Sequence, residues 1–174
     1  MVNQKEIKVP DIKQETPSDK TEKVWPLPTI EKSVATTGGK AFEASRGDRW
    51  HAGIDIIAPV GTKVVATEDG KVVNYFRFTK PPKYNLTYCL LIQHNSGHVV
   101  NYGEIQKAYV KIGAEVKAGQ EIAEIGQVGL KGSSMLHFEL YIKGTKISHR
   151  WYKAKSRPAP LINPENYLKE CIKK

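Results

Sequence analysis

The sequence has only two cysteines in 174 residues, too few for a disulfide framework to substitute for a packed core. Cys89 lies in the apolar run Thr87-Tyr88-Cys89-Leu90-Leu91-Ile92 and reads as a small buried hydrophobe, while Cys171 sits in a basic tail. Neither context marks a nucleophile. No stretch is long and apolar enough to span a bilayer. The first residues lack the basic start, apolar middle and small-residue cleavage site of a secretory leader. Acidic residues are outnumbered, 18 against 27 lysines and arginines, which leaves a net charge of +9. That excess suggests an acidic partner. Zinc-finger spacing, a helix-turn-helix pattern and an aromatic ribonucleoprotein motif are all missing, which argues against a nucleic-acid reader.

What is present fits one domain behind a tether. Residues 1–24 are rich in lysine, glutamate, aspartate and proline without apolar periodicity, the composition of a flexible linker. Residues 25–174 carry the apolar content, 40% over the whole chain, and are too few for two ordinary domains. Short apolar or β-branched runs at 54–57, 63–67, 71–76, 88–94, 98–104, 121–125 and 135–142 are punctuated by glycine-bearing turns. They predict an all-β, antiparallel domain with at most short helical pieces near the C-terminus.

Two of these runs carry metal-ligand chemistry. His51 and Asp55 stand four residues apart in Arg49-Trp50-His51-Ala52-Gly53-Ile54-Asp55-Ile56, and His137 lies in Met135-Leu136-His137-Phe138-Glu139-Leu140. Two imidazoles and a carboxylate form the ligand set of an open catalytic zinc site, whereas structural zinc normally takes four protein ligands. Strand alternation puts Leu136, Phe138 and Leu140 on one face and Met135, His137, Glu139 and Tyr141 on the other. The same alternation, extended from residue 57 back to 51, puts His51, Gly53 and Asp55 on one face. Gly53 would open space for an ion near the backbone.

These segments resemble the lysostaphin/LytM-type zinc metallopeptidases. The likeness runs from His51-Ala52-Gly53-Ile54-Asp55 through Ala58-Pro59-Val60-Gly61-Thr62, Glu68-Asp69-Gly70 and Leu136-His137-Phe138-Glu139 to Asn163-Pro164-Glu165. It implies a zinc ion held by His51, Asp55 and His137, an antiparallel peptidase fold, and cleavage of peptide bonds in peptidoglycan stems or cross-bridges. It also implies a periplasmic, cell-wall or extracellular site of action. With no leader recognisable, the expectation is a trimmed chain or delivery by a larger secretion or injection machine. The positive charge then reads as affinity for an anionic wall, or as a solubilising surface.

The family's two further histidines are missing. Met135 replaces the first histidine of a His-x-His pair, and Glu104 replaces the histidine of a Tyr-x-His segment. Methionine cannot relay protons, but a glutamate can serve as general base, so Glu104 is the candidate base and Tyr102 a candidate stabiliser of the oxyanion. Glu139 is expected to support a ligand. His98 shares strand parity with Glu104, and Met135, His98, Trp151 and Tyr152 are candidate groove residues. His94 and His149 read as ordinary structural histidines. The aromatic and basic segments 78–85 and 146–160 would wall a groove or dock another protein. A non-hydrolytic relative using the same groove for binding is the alternative function.

Overall fold

The computed structural model describes residues 22–129 and 134–173. All but the last three residues of the expected tether lie outside that range. In chain order the elements are β1 (Ser45–Arg46), β2 (Arg49–Trp50), β3 (Ile54–Ile57), β4 (Lys63–Val65), β5 (Gly70–Thr79), β6 (Thr87–His94) and β7 (Val99–Ala108). They continue with β8 (Glu115–Val116), β9 (Glu121–Ile125), β10 (Met135–Tyr141), β11 (Trp151–Tyr152), β12 (Leu161–Ile162) and α1 (Glu165–Ile172). Each run expected to be a strand is one, within a few residues. The two-residue strands are too short to leave a period in the sequence.

The larger sheet is ordered β12-β10-β7-β6-β5-β8, with β3 also on β10 and β9 joining β4 to β7. β1, β2 and β11 form a separate three-stranded sheet. Every pairing is antiparallel. β6 explains why its sequence is nearly all apolar: both of its faces are covered. Leu90 and Ile92 enter the main core with Tyr102, Phe138 and Ile122, while Cys89 and Leu91 enter a second cluster with Val99, Tyr141 and Trp151. The two cysteines lie in different clusters. Cys171, which the sequence places in a basic tail, is on the buried side of α1, and both thiols are free.

α1 closes one side of the main core with Tyr167, Leu168 and Cys171. Full burial of a leucine such as Leu168 contributes about 1.5–3 kcal/mol. The Tyr167 hydroxyl meets Thr67 Oγ1 at 2.8 Å and donates to Glu68 Oε1 at 2.5 Å, which ties the helix to the sheet. Tyr102 joins the same buried network: its hydroxyl accepts from the Thr67 N–H at 2.9 Å and lies 3.1 Å from His94 Nε2.

β7 changes partner midway. Residues 99–103 pair with β10, and residues 105–108 pair with β9. At the change the strand carries an extra residue: against β6, Tyr102 faces Leu90 and Ile105 faces Tyr88. This is a β-bulge. Its second residue, Glu104, has φ of 62°, a left-handed conformation unusual for a side chain with a Cβ.

Candidate metal centre and groove

Asp55 and His137 are directly opposed on β3 and β10, so cross-strand pairing alone brings carboxylate and imidazole together. His51 arrives differently. It precedes β3 in a non-strand segment, and strand alternation does not place it. Its backbone N–H donates to Ala44 O, its carbonyl accepts from Glu43 N–H, and its Nδ1–H donates to Ala41 O at 2.7 Å. The loop over residues 41–44 thus fixes both the backbone and the ring.

Three ligand atoms converge: His51 Nε2, Asp55 Oδ1 and His137 Nδ1, separated by 3.0, 3.2 and 2.8 Å. They are the one such cluster among the described residues, and all three residues are buried. Ligands on a tetrahedral ion with bonds of about 2.0–2.1 Å lie about 3.3 Å apart. The triangle is therefore close to the size a zinc ion needs.

The outer hydrogen bonds strengthen that fit. A carbonyl can only accept, so the contact with Ala41 O places the proton of neutral His51 on Nδ1 and leaves a lone pair on Nε2. His137 Nε2–H likewise donates to Glu139 Oε1 at 3.1 Å, leaving the lone pair of the neutral ring on Nδ1. Two nitrogen lone pairs and a carboxylate oxygen then point at one place, an arrangement that repels itself without a cation. A proton can serve as that cation. Burial lowers the pKa of His137, but hydrogen bonds and charge from Asp55 and Glu139 outweigh it and push the value up to about 10. Burial raises Asp55, and the two histidines outweigh it, holding its carboxyl well below the usual range.

Supporting groups hold this set in place. Asp55 Oδ2 accepts from Arg46 at 2.6 Å, which leaves Oδ1 for the cluster. Glu139 is buried and takes hydrogen bonds from Asn101, Tyr141 and Ser148 besides His137. Phe78 stacks on the His137 ring with centroids 5.5 Å apart. Gly53 is needed for a different reason than the one expected. A Cβ there would lie 2.6 Å from Phe138 O and 3.0 Å from His137 Cε1, so the glycine lets the chain approach β10 and leaves room for the imidazole.

A groove of about 1180 Å³ opens over the cluster. Glu104, Met135, Trp151 and Tyr152 line it, as do Phe78–Tyr84 from one flanking segment and residues 148–152 from the other. Burial pushes the Glu104 carboxyl up to about 7, partly offset by His137, Arg46 and Arg49, while Asp55 adds to the rise. The bulge explains its position. Without the extra residue, Glu104 would share a face with Tyr102; with it, Ile105 takes the core position and Glu104 faces the groove.

Two expected site residues are elsewhere. Tyr102 is fully buried on the opposite face, its hydroxyl committed to Thr67, and it cannot reach an oxyanion at the cluster. His98 also lies on that side, against Tyr167 and bonded to Ser96, so it is not a groove residue. Parity misassigned His98 because alternation was carried through the bulge, whereas Tyr102 was assigned on its chemistry and on its place two residues before Glu104. His94 is structural, buried beside Tyr102 and Thr67. His149, read from sequence as structural, lines the groove. Arg46 contacts Asp55 directly and carries no sequence signal beyond lying nine residues before it, while Phe78, which stacks on His137, was read only as the start of the loop segment 78–85.

Comparison with known proteins agrees with this architecture. Residues 49–149 match the model of Peptidase family M23. The murein hydrolase activator NlpD of Escherichia coli K12 is 36% identical over 124 residues, covering 71% of this chain and 30% of that protein. The peptidoglycan DD-endopeptidase ShyB of Vibrio cholerae is 35% identical over 97 residues, covering 56% and 22%. The chain thus spans less than a third of the length of these curated relatives. Lysostaphin from Staphylococcus simulans shares the fold with a TM-score of 0.62 at 23% identity, covering 87% of this chain and 55% of that one. A zinc-containing peptidase from Vibrio cholerae gives a TM-score of 0.53 at 27% identity, covering 79% and 40%.

Proposed function

This chain belongs to peptidase family M23, and from that premise we propose that it is a zinc-dependent endopeptidase hydrolysing peptide bonds of bacterial peptidoglycan, outside the cytoplasm. The observation that carries the reading is the convergence of His51 Nε2, Asp55 Oδ1 and His137 Nδ1 within 3.2 Å of one another, with outer hydrogen bonds that fix the neutral rings as ligands. Those three residues would hold the ion. When bound, zinc supplies Lewis-acid polarisation of a peptide carbonyl and acidifies water.

The chain's own residues supply the rest. Glu104 faces the groove with its carboxyl raised to about 7 by burial, so near neutral pH a large fraction is ionised and able to take a proton from water. In its protonated form the same group returns that proton to the departing amine. Its left-handed backbone, a conformation that costs about 1–3 kcal/mol, holds it out of the core and on the groove side. Met135 and Phe78 give the site apolar sides, and Glu139 holds His137 in orientation.

The test is to incubate zinc-loaded protein with purified peptidoglycan and measure new amino termini. Release that disappears in His137→Ala and falls at least a hundredfold in Glu104→Gln is expected. A folded, zinc-replete protein that yields no product from several wall chemistries would overturn the reading.

A second reading is favoured by one observation: the 36% identity to a protein named as a murein hydrolase activator. In it the groove binds a partner hydrolase without cleaving anything. The two readings separate on whether this domain alone releases amino termini.

A further inference from the structure

The three-stranded sheet contributes one wall of the groove, and its charge pattern is unusual. Arg46 on β1 is directly opposite Arg49 on β2, and Arg49 is directly opposite Tyr152 on β11. Directly opposed residues share a face, as do residues two apart on one strand. Arg46, Arg49 and Tyr152 therefore stand in a row on one face. Arg150, just before β11, meets this row through its side chain, with its Nη1 3.5 Å from the Tyr152 hydroxyl. All four line the groove.

Like charges directly opposed across strands are destabilising, so this row needs counter-charge. Arg46 has it, because its Nη2 is 2.6 Å from Asp55 Oδ2. Arg49 and Arg150 have none. Among the described residues neither is within salt-bridge distance of a carboxylate, although Lys63, Lys71, Lys117 and Lys169 elsewhere on the surface each meet one. The acids of the groove offer little relief. Asp55 and Glu139 are committed to the metal cluster, and Asp48 and Glu104 make no ion pair. Arg49 is nonetheless close enough to Glu104 to favour its charged form, as Arg46 is, and Arg150 lines the same groove.

We propose that Arg49 and Arg150, flanking Tyr152, form a carboxylate subsite that reads a free carboxylate of the peptide substrate next to the bond being cleaved. Two guanidiniums present planar, paired donors that match carboxylate geometry, and the phenol between them supplies a further hydroxyl donor. The favoured substrate class is thus an anionic peptide rather than a neutral one such as an oligoglycine bridge. This inference rests on the peptidase reading of the same groove.

The experiment compares two synthetic cross-linked stem peptides, identical except that the free carboxylates of one are converted to carboxamides. Cleavage is followed by chromatography, and binding by fluorescence anisotropy of labelled peptide. The carboxylate form is expected to be preferred by about tenfold or more at low salt, since charge-assisted bonds are the strong ones, with the preference shrinking as salt is added. Arg49→Gln and Arg150→Gln should each narrow the preference, and Arg49→Lys should retain part of it. Both positions are exposed, and circular dichroism checks that each variant is folded. Equal cleavage of the two peptides, or a preference untouched by both glutamine variants, overturns the subsite while leaving the peptidase reading intact. If neither peptide is cleaved, the peptidase reading fails and with it the place beside a cleaved bond; carboxylate recognition by the arginines is then upheld when the carboxylate form binds more tightly and Arg49→Gln abolishes the difference, and overturned when both forms bind alike.

Discussion

Glu104 combines a left-handed backbone, partial burial and a raised pKa in one residue. Each of these works against stability, and each suits a proton acceptor in a groove. Because the folded pKa of about 7 lies above the ordinary 4.5, the folded protein holds a proton that the unfolded chain has lost. The contribution of this group is therefore best below pH 4.5 and falls as the pH rises through 7. Glu104→Gln should raise the melting temperature of the metal-free protein at pH 8 while leaving it nearly unchanged at pH 4. In the active protein the acid limb of kcat/KM should fall below about pH 7, or lower once a bound cation favours the carboxylate, and the pH profile of the variant should lack that limb. Glu139 acts at the same scale through its hydrogen bond to His137. Glu139→Ala should weaken zinc binding by about 10–100-fold, measured by competition with a chromophoric chelator.

At the scale of elements, the site is made where strands meet. Pairing of β3 with β10 sets Asp55 against His137, and the bulge where β7 passes from β10 to β9 turns Glu104 toward them. Gly53 controls the approach of the chain to β10. Gly53→Ala would put a methyl group 2.6 Å from Phe138 O, an overpacking expected to cost about 1–3 kcal/mol and to displace the His137 ring. Urea unfolding and zinc titration of the variant should show both losses together. The strand periods were readable because β-branched residues alternate with glycine-bearing turns. The bulge was not readable, because Gly103-Glu104-Ile105 looks like uninterrupted strand, and only the register against β6 reveals the extra residue.

At the scale of the molecule, a nine-stranded sheet with a core on each face carries Asp55 and His137, a loop before it carries His51, and a separate small sheet and two loop segments wall the groove. Zinc binding to the folded chain alone should stabilise it by mass action, by about 2.7 kcal/mol at a hundred times Kd. Chelation should reverse that gain, and His137→Ala should not show it. Since the ion displaces a proton held by His137 and Asp55, zinc affinity should rise with pH across the neutral range, readable as proton release in calorimetry. The sequence by itself determined the antiparallel β class, the family and the candidate cluster His51, Asp55 and His137, because strand periods and residue types are local properties of the chain. Only the tertiary structure decided that Tyr102 and His98 lie behind the sheet, that Glu104 and His149 face the groove, and that Arg49 and Arg150 line it with no carboxylate within salt-bridge distance among the described residues. Those placements depend on bulges and on partners distant in sequence, and a one-residue register change moves a side chain to the opposite face of a sheet.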